Sequence, residues 1–295
     1  MKKEAKTFIH FSAYRRRLLW DCFARRCFLA VGLMVLLAAA APLPHAKPAP
    51  RVAPADLAEQ LAMLAFDANP AQDIPARDVL GRWAGPMRVL VFGRPSDNAD
   101  AGAAARALGR AGVKMQVLRP AGAAAMAPNT FLVVDENLPG AFRGPLRTML
   151  AQAFLDDEAA VDAFIAGVVE TTPCWTLPVW TDARRVELKA AVIGVSARQD
   201  RVAVQHCILS GFGAALGLLG PGGFLPGSLF TPPSRAVRLS RDDERMIRVL
   251  YGPALAPGMT REQTQAAAAR ALAGPERKRP PVHPHKRPAR VPPAP

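Results

Sequence analysis

The stretch HCILSGFGAALGLLGPG, residues 206–222, restricts the fold more than any other part of this chain. Together with the residues just before it, this stretch has apolar side chains at the spacing of one helix face, at Val204, Ile208, Phe212, Ala215, Leu216 and Leu219. Glycines interrupt the run, and each costs about 1 kcal/mol relative to alanine inside a helix. The pattern predicts a core helix over residues 204–219. Its glycines either let another backbone approach closely or stand where a side chain is no longer needed, at Gly211, Gly213 and Gly217.

The first half of the chain has the pattern of alternating helices and strands. An amphipathic helix, whose leucines recur at helical spacing from Leu57, precedes a short apolar strand at 87–92. An alanine-rich helix and two further strands, at 113–119 and 129–137, come next. The predicted order is β-α-β-β. This half has neither a glycine-rich dinucleotide fingerprint nor a P-loop lysine, so we expect no nucleotide cofactor.

The second half contains the pattern of a strand, a helix, a turn and further helices. Residues 141–170 predict one broken helix or two consecutive helices. The segment PCWTLPVW, at 173–180, has two prolines and two tryptophans and predicts a surface loop held by aromatic packing. A strand at 186–197 then leads into the core helix. Ser240 and Thr260 predict the N-caps of two later helices.

Residues 1–46 have the order of an export signal: a basic stretch, an apolar run at 28–41, then small residues. The apolar run is shorter than the roughly 20 residues that a helix needs to cross a membrane, which favours cleavage. Without cleavage, residues 28–43 would anchor the protein in the membrane. Arg25 and Arg26 fit twin-arginine export as well as the general secretory route. We therefore expect an exported protein of the periplasm or cell envelope.

The formal net charge of +14 lies mostly at the two ends of the chain. Residues 1–46 and 276–295 are rich in Lys and Arg, whereas residues 47–275 carry little of the excess. This distribution argues against a nucleic-acid-binding face on the folded body. The segment 276–295 is also proline-rich, which predicts a disordered tail suited to anionic envelope polymers or lipid headgroups.

Two cysteines follow the predicted signal, Cys174 and Cys207. In an exported protein a lone pair of cysteines is typical of one disulfide bond. Such a bond would contribute roughly 3 kcal/mol of stability for a loop of this length. The alternative is two buried free thiols.

The second half also resembles a known family. HCILSGFGAALGLLGPG, then GSLFTPP, then RLSRDDERMIRVLYGPALAPGMT resemble the metzincin branch of the zincin metallopeptidases, which has a zinc-binding helix ending in Leu-Gly-Leu, a methionine turn and a closing helix. LYGPALAPGMT and the preceding GSLF are similar to a proteobacterial family of exported proteins of unknown function, often classed as lipoproteins and distantly similar to zincins. The resemblance covers about residues 186–262. It implies a zincin-like fold.

The positions that would carry zincin chemistry hold other residues. A zincin uses two histidines at i and i+4, a glutamate beside the first histidine, and a third ligand after the helix. Aligned on Leu-Gly-Leu, the resemblance puts Ser210 and Ala214 at the histidines, Gly211 at the glutamate and Gly220 at the third ligand. Phe230 stands at the methionine of the turn. We therefore expect no catalytic, metal-binding or cofactor-binding residues.

Other candidate side chains have simpler interpretations. His206 is the one histidine between residues 46 and 282, and we interpret it as a partly buried structural residue. A pair of His206 with Ser210, one turn later, lacks the nucleophile-elbow pattern around the serine. The acids at 242–244 follow Ser240 and are interpreted as first-turn partners of the helix rather than as catalytic carboxylates.

The expected protein is of the α+β class and zincin-like, with a mixed sheet, a core helix directly after the sheet and C-terminal helices. Its expected segments are a signal peptide or anchor at 1–46, an N-terminal α/β part at 47–140, a zincin-like part of the same domain at 141–275, and a tail at 276–295.

Its expected role is binding or envelope structure without catalysis. Any remnant of the zincin cleft would lie between residues 204–218 and the strand at 186–197, where an extended peptide would add to a sheet edge. Three alternatives stay open: a hydrolase with unconventional ligands drawn from Cys174, Cys207 or carboxylates, an interaction protein that acts through its tail, and a glycine-rich core helix unrelated to zincins.

Overall fold

The computed structural model describes residues 52–118, 127–223 and 225–274, and a five-stranded sheet lies at its centre. The strands are β1 (Met87–Phe92), β2 (Met115–Leu118), β3 (Thr130–Asp135), β4 (Cys174–Trp180) and β5 (Leu188–Ser196). Their order across the sheet is β2-β1-β3-β5-β4. The first four strands of that order are parallel, and β4 pairs antiparallel with β5 at one edge. The sheet is thus mixed, as predicted.

The prediction of a surface loop at 173–180 is wrong, because this segment is the edge strand β4. Trp175 is buried against Phe142 and Phe164, with ring centroids 5.1 and 5.2 Å away. Pro178 has no N–H to donate, but an edge strand tolerates proline on the side that lacks a partner strand. The prolines that suggested a loop are therefore compatible with a strand in this position.

The helices pack on both faces of the sheet. They are α1 (Pro54–Phe66), α2 (Pro95–Arg110), α3 (Leu138–Arg143), α4 (Arg147–Ala153), α5 (Glu158–Phe164), α6 (Arg201–Ala215), α7 (Arg241–Leu250) and α8 (Arg261–Ala273). A π-helical turn, Ile165–Val169, continues α5. The segment predicted as one or two helices, 141–170, is thus made of three short helices and this turn. Over the residues that the structure describes, the first half has the predicted order β-α-β-β.

Two apolar cores follow from the alternation of side chains along the strands. Leu132 and Ile193 belong to the larger core, with residues of α1, α2, α6, α7 and α8. Their neighbours Val133 and Val192 point to the opposite face and belong to the smaller core, with residues of α3, α4 and α5. Helix α6 lies in the larger core, directly after β5, so the predicted core helix is confirmed.

The ends of α6 differ from the predicted span of 204–219. The helix begins after Asp200, whose carboxylate accepts a hydrogen bond from the Ala203 N–H at 2.9 Å. It ends at Ala215, because Gly217 takes a left-handed φ of +99° that reverses the chain. The predicted capping residues Ser240 and Thr260 each form a capping box at the start of α7 and α8.

The predicted signal at 1–46 and the predicted tail at 276–295 lie outside the described residues. Over the ranges that the structure does describe, none of the helices has the length and apolar character required to cross a membrane.

Candidate functional site

A cleft of about 250 Å³ opens between α6, the edge strand β4 and the turn at 228–234. All four positions that the sequence aligned with zincin ligands line this cleft, namely Ser210, Gly211, Ala214 and Gly220. His206 and Phe230 also line it. The structure thus brings the sequence-predicted positions together around one space.

The glycines of this region are needed for close packing. A Cβ atom on Gly211 would lie 2.6 Å from Cγ2 of Ile193 on β5. A Cβ on Gly213 would overlap the ring of Phe230, and one on Gly220 would overlap the carbonyl oxygen of Met63. Of the two explanations offered by the sequence, close approach applies to these glycines. The positions aligned with the zincin glutamate and third ligand are therefore closed to larger side chains unless their neighbours move.

His206 is held by the segment that follows the turn. Its Nδ1 atom lies 2.9 Å from the carbonyl oxygen of Ala236, so Nδ1 donates its N–H in this bond. Ser210 donates its hydroxyl to the carbonyl of Cys207, at 3.4 Å, within its own helix. In the described part of the chain no hydrogen bond joins His206 to Ser210. The arrangement has the geometry of a structural histidine, not of an activated serine.

Cys174 and Cys207 form a disulfide bond, as predicted, with Cα atoms 5.6 Å apart. The bond joins β4 to α6, and both cysteines line the cleft. The side-chain amide of Gln199 lies 3.7 Å from the sulfur of Cys174 and 3.5 Å from that of Cys207. The disulfide therefore fixes the distance between two walls of the cleft.

The outer edge of β4 lacks a free N–H at two successive outward-facing positions. The N–H of Thr176 points away from β5 and donates to the side-chain oxygen of Gln72, at 3.2 Å. Pro178 faces the same side, two residues later, and has no N–H. The predicted peptide site at a sheet edge formed by residues 186–197 is wrong, because this strand, β5, lies between β3 and β4. The edge strand beside the cleft is β4, and it offers an added strand no free N–H at 176 or 178.

Three side chains donate to carbonyl groups at the end of α6 and in the two residues after it. Trp83 donates its indole N–H to Ala215 at 2.7 Å, and Tyr251 donates its hydroxyl to Leu216 at 2.9 Å. Arg77 donates to Gly217 at 2.6 Å. These contacts stabilise the end of the helix, where carbonyl groups have no partner within the helix. They fix the position of the Leu-Gly-Leu turn beside the cleft.

Arg77 is a buried cation that the sequence did not single out. Its guanidinium also donates to the carbonyl of Ala65 and lies 5.3 Å from the ring centroid of Trp180. Burial, reinforced by the nearby charge of Arg185, lowers the pKa of Arg77 to about 10. Arg77 thus joins α1, the end of α6 and β4, and its isolated position in a loop gives no local sequence signal of that role.

Asp243 holds the turn at 228–234, which forms one wall of the cleft. Its carboxylate is fully buried and accepts from the Ser228 hydroxyl at 2.6 Å and the Leu229 N–H at 3.0 Å. It also accepts from the Ser240 N–H at 2.9 Å, which completes the capping box. The capping interpretation of this acid is confirmed, and the turn at 228–230 is its additional partner.

No three His, Cys, Asp or Glu side chains lie close enough together to hold a metal ion within the ranges that the structure describes.

Comparison with known proteins gives one match. The model of a family described as "Protein of unknown function (DUF2927)" matches residues 54–270. No curated protein and no solved structure matches the chain.

Proposed function

The chain belongs to the DUF2927 family of proteins of unknown function, and we propose that it is an exported binding protein with a zincin-like fold and no peptidase chemistry. The observation that carries this proposal is the meeting of Ser210, Gly211, Ala214 and Gly220 around one cleft. In an active zincin these positions would supply two imidazoles, a carboxylate and a third ligand. Here they supply one hydroxyl group.

The arrangement around α6 supports the zincin-like part of the proposal. The order of strand β5, helix α6, turn and closing helix α7 is the order that the sequence resemblance requires. The chain reverses at Gly217, within Leu-Gly-Leu, and Phe230 of the turn packs against Gly213 of the helix. The turn therefore lies beside the helix. The turn position that holds methionine in metzincins holds Phe230 in this chain.

The chemistry of the cleft favours an uncharged, polar ligand. Thr176 and Ser210 line the cleft with hydroxyl groups that donate to backbone carbonyls and keep oxygen lone pairs as acceptors, and the imidazole of His206 lines it as well. The cleft has no carboxylate, lysine or arginine among its lining residues. A ligand that matches these groups would make directional hydrogen bonds without the cost of burying a charge.

The disulfide supports the exported part of the proposal. Bonds such as that between Cys174 and Cys207 persist in oxidising compartments and are rare in the cytosol. This agrees with the export signal expected at 1–46.

Metal analysis tests the absence of peptidase chemistry. The full chain, exported by its own signal and purified without chelator, is assayed by plasma mass spectrometry and for hydrolysis of a peptide library. We expect far less than one zinc ion per chain and no cleavage. One zinc per chain, with cleavage that a chelator abolishes, would contradict the proposal.

Site-specific cross-linking tests the binding role. A photo-reactive phenylalanine derivative is introduced at Ser210, and the exposed Arg184, which does not line the cleft, is the matched control position. We expect a discrete adduct from position 210 that the control does not give, both in the full chain and after deletion of 276–295. Equal adducts from both positions, or loss of the adduct with the tail, would contradict a role for the cleft.

A further inference from the structure

A second groove, of about 560 Å³, lies between α2, α6 and the segment 237–239. It shares no lining residue with the cleft described above. Its apolar lining consists of Leu209 of α6 and three alanines of α2, which are Ala103, Ala104 and Ala107. We call these alanines the floor of the groove. Three arginines stand around it, Arg106 and Arg110 on α2 and Arg238 on the facing segment. We call this space the arginine groove.

The positive charge of the arginine groove is not compensated by the acids that line it. Asp100 pairs with Arg201, which lies outside the groove, and also accepts from Gln205 at 3.1 Å. Glu244 lies 3.9 Å from Arg248, also outside the groove. Over the ranges that the structure describes, none of the three groove arginines is within ion-pair distance of a carboxylate. The groove therefore presents a net positive charge to solvent.

The two ends of this chain are unsuited to fill the groove. Residues 1–46 and 276–295 both carry an excess of Lys and Arg, so either segment would add like charge to the three arginines. Charge complementarity calls for an anion from another molecule.

The spacing and the remaining side chains define that anion. Arg106 and Arg110 are one helical turn apart, roughly 5–6 Å between their Cβ atoms, and Arg238 lines the same groove from the segment 237–239. A ligand that pairs with all three arginines must carry acidic groups at repeated positions along its length. Gln205 and Glu244 add an amide and a carboxylate, which suit ligand hydroxyl groups better than an acyl chain or a phosphodiester.

We infer that the arginine groove binds an acidic oligosaccharide. Its carboxylates pair with Arg106, Arg110 and Arg238, its hydroxyl groups bond to Gln205 and Glu244, and its ring faces lie on the alanine floor. Guanidinium groups favour this pairing because they match planar carboxylates with two parallel hydrogen bonds. This site is independent of the cleft and of the function proposed for it.

Binding of a galacturonic acid hexamer to the full chain, followed by calorimetry, tests the inference. The variant carries Arg106→Gln, Arg110→Gln and Arg238→Gln. A matched control removes the same charge at exposed positions outside the groove, by Arg184→Gln, Lys189→Gln and Arg198→Gln. Exposed ion pairs are worth about two- to fivefold in affinity each, so the loss of three should raise Kd about 10- to 100-fold in the groove variant, with little change in the control.

Both variants are also compared after deletion of 276–295, so that attraction of a polyanion to the Lys and Arg residues of that segment does not contribute to the measured Kd. Arg238→Gln alone, in a segment outside the helices, provides a second variant that leaves α2 untouched, and its Kd is expected to rise about two- to fivefold. Equal weakening in the groove and control variants would overturn the inference. Affinity for a neutral galactose hexamer equal to that for the acidic one, or tighter binding to phosphatidylglycerol vesicles, would also overturn it.

Discussion

Tyr251 donates its hydroxyl to the carbonyl oxygen of Leu216, 2.9 Å away and 35 residues earlier in the chain. This bond connects the residue after α7 to the residue after α6. The guanidinium of Arg82 lies over the ring of Tyr251, 5.9 Å from the ring centroid. The phenol is therefore part of the structure that holds the end of α6 beside the cleft.

We expect Tyr251→Phe to lower the free energy of unfolding by about 1–2 kcal/mol, because the Leu216 carbonyl loses its partner while the ring stays in place. Urea denaturation followed by circular dichroism measures the change. An unaltered midpoint would show that solvent replaces the bond.

The same pair predicts a dependence on pH. Burial raises the pKa of Tyr251 above its ordinary value of 10.0. The folded state then keeps the proton that the unfolded state releases above about pH 10, so the stabilising effect is complete below that pH and declines above it. The stability difference between the native chain and Tyr251→Phe should narrow as pH rises from 9 to 11. A constant stability difference over this range would contradict the raised pKa of Tyr251.

Gly220→Ala and Gly109→Ala should have opposite effects. A Cβ at position 220 overlaps the carbonyl oxygen of Met63, and the N–H of Gly220 donates to Leu64 at 2.8 Å, so the loop cannot move freely. We expect a loss of about 1–3 kcal/mol. Gly109, in α2, meets nothing within 4 Å, and alanine there should stabilise the helix by about 0.5–1 kcal/mol. Denaturation midpoints that move in the same direction for both would refute this packing.

The disulfide should contribute measurably to stability. Cys174→Ser with Cys207→Ser is expected to cost about 2–4 kcal/mol, since the bond closes a segment with a sequence separation of 33. A reductant should shift the unfolding midpoint of the native chain toward that of the double variant and leave the variant unchanged. Alkylation of both cysteines in the unreduced, unfolded chain, detected by mass, would instead indicate free thiols.

Local patterns in the sequence predicted much of the fold because they depend on residues a few positions apart. The apolar spacing of α6 and the capping residues Ser240 and Thr260 belong to this class, and the structure confirms them. The disulfide bond was predicted because a lone pair of cysteines in an exported protein is typical of one, and not from the spacing of Cys174 and Cys207. The end of α6 was misplaced because leucines continue the apolar face beyond Ala215, while the left-handed Gly217 ends the helix.

Contacts across long sequence separations explain what the sequence did not reveal. Gln72 closes the outer edge of β4 at Thr176, 104 residues later, and neither residue has a local pattern that indicates the other. Strand β4 itself was missed because Pro178 within it would be unfavourable in a central strand, and the sequence does not say which strand forms the edge. The four aligned positions converged on one cleft because their spacing along α6 and its turn is local.

The cleft face of α6 offers a direct test by addition of a metal ligand. Ser210→His would put an imidazole one turn after His206, so two rings at i and i+4 would face the cleft. The bond from His206 Nδ1 to Ala236 leaves Nε2 free to bind a metal, as in natural sites where a carbonyl orients the ligand. Zinc at 10–100 times its Kd should then stabilise this variant by about 1–3 kcal/mol in thermal unfolding.

Two controls decide how that stabilisation is interpreted. Ser210→Ala should show no zinc effect, and His206→Ala in the Ser210→His background should remove it, because a single imidazole binds zinc weakly. If zinc stabilises the native chain as much as the variant, His206 already belongs to a metal site and the binding-protein proposal fails. If zinc stabilises neither protein, the rings at 206 and 210 do not reach one metal ion from the cleft face of α6, and the prediction is wrong.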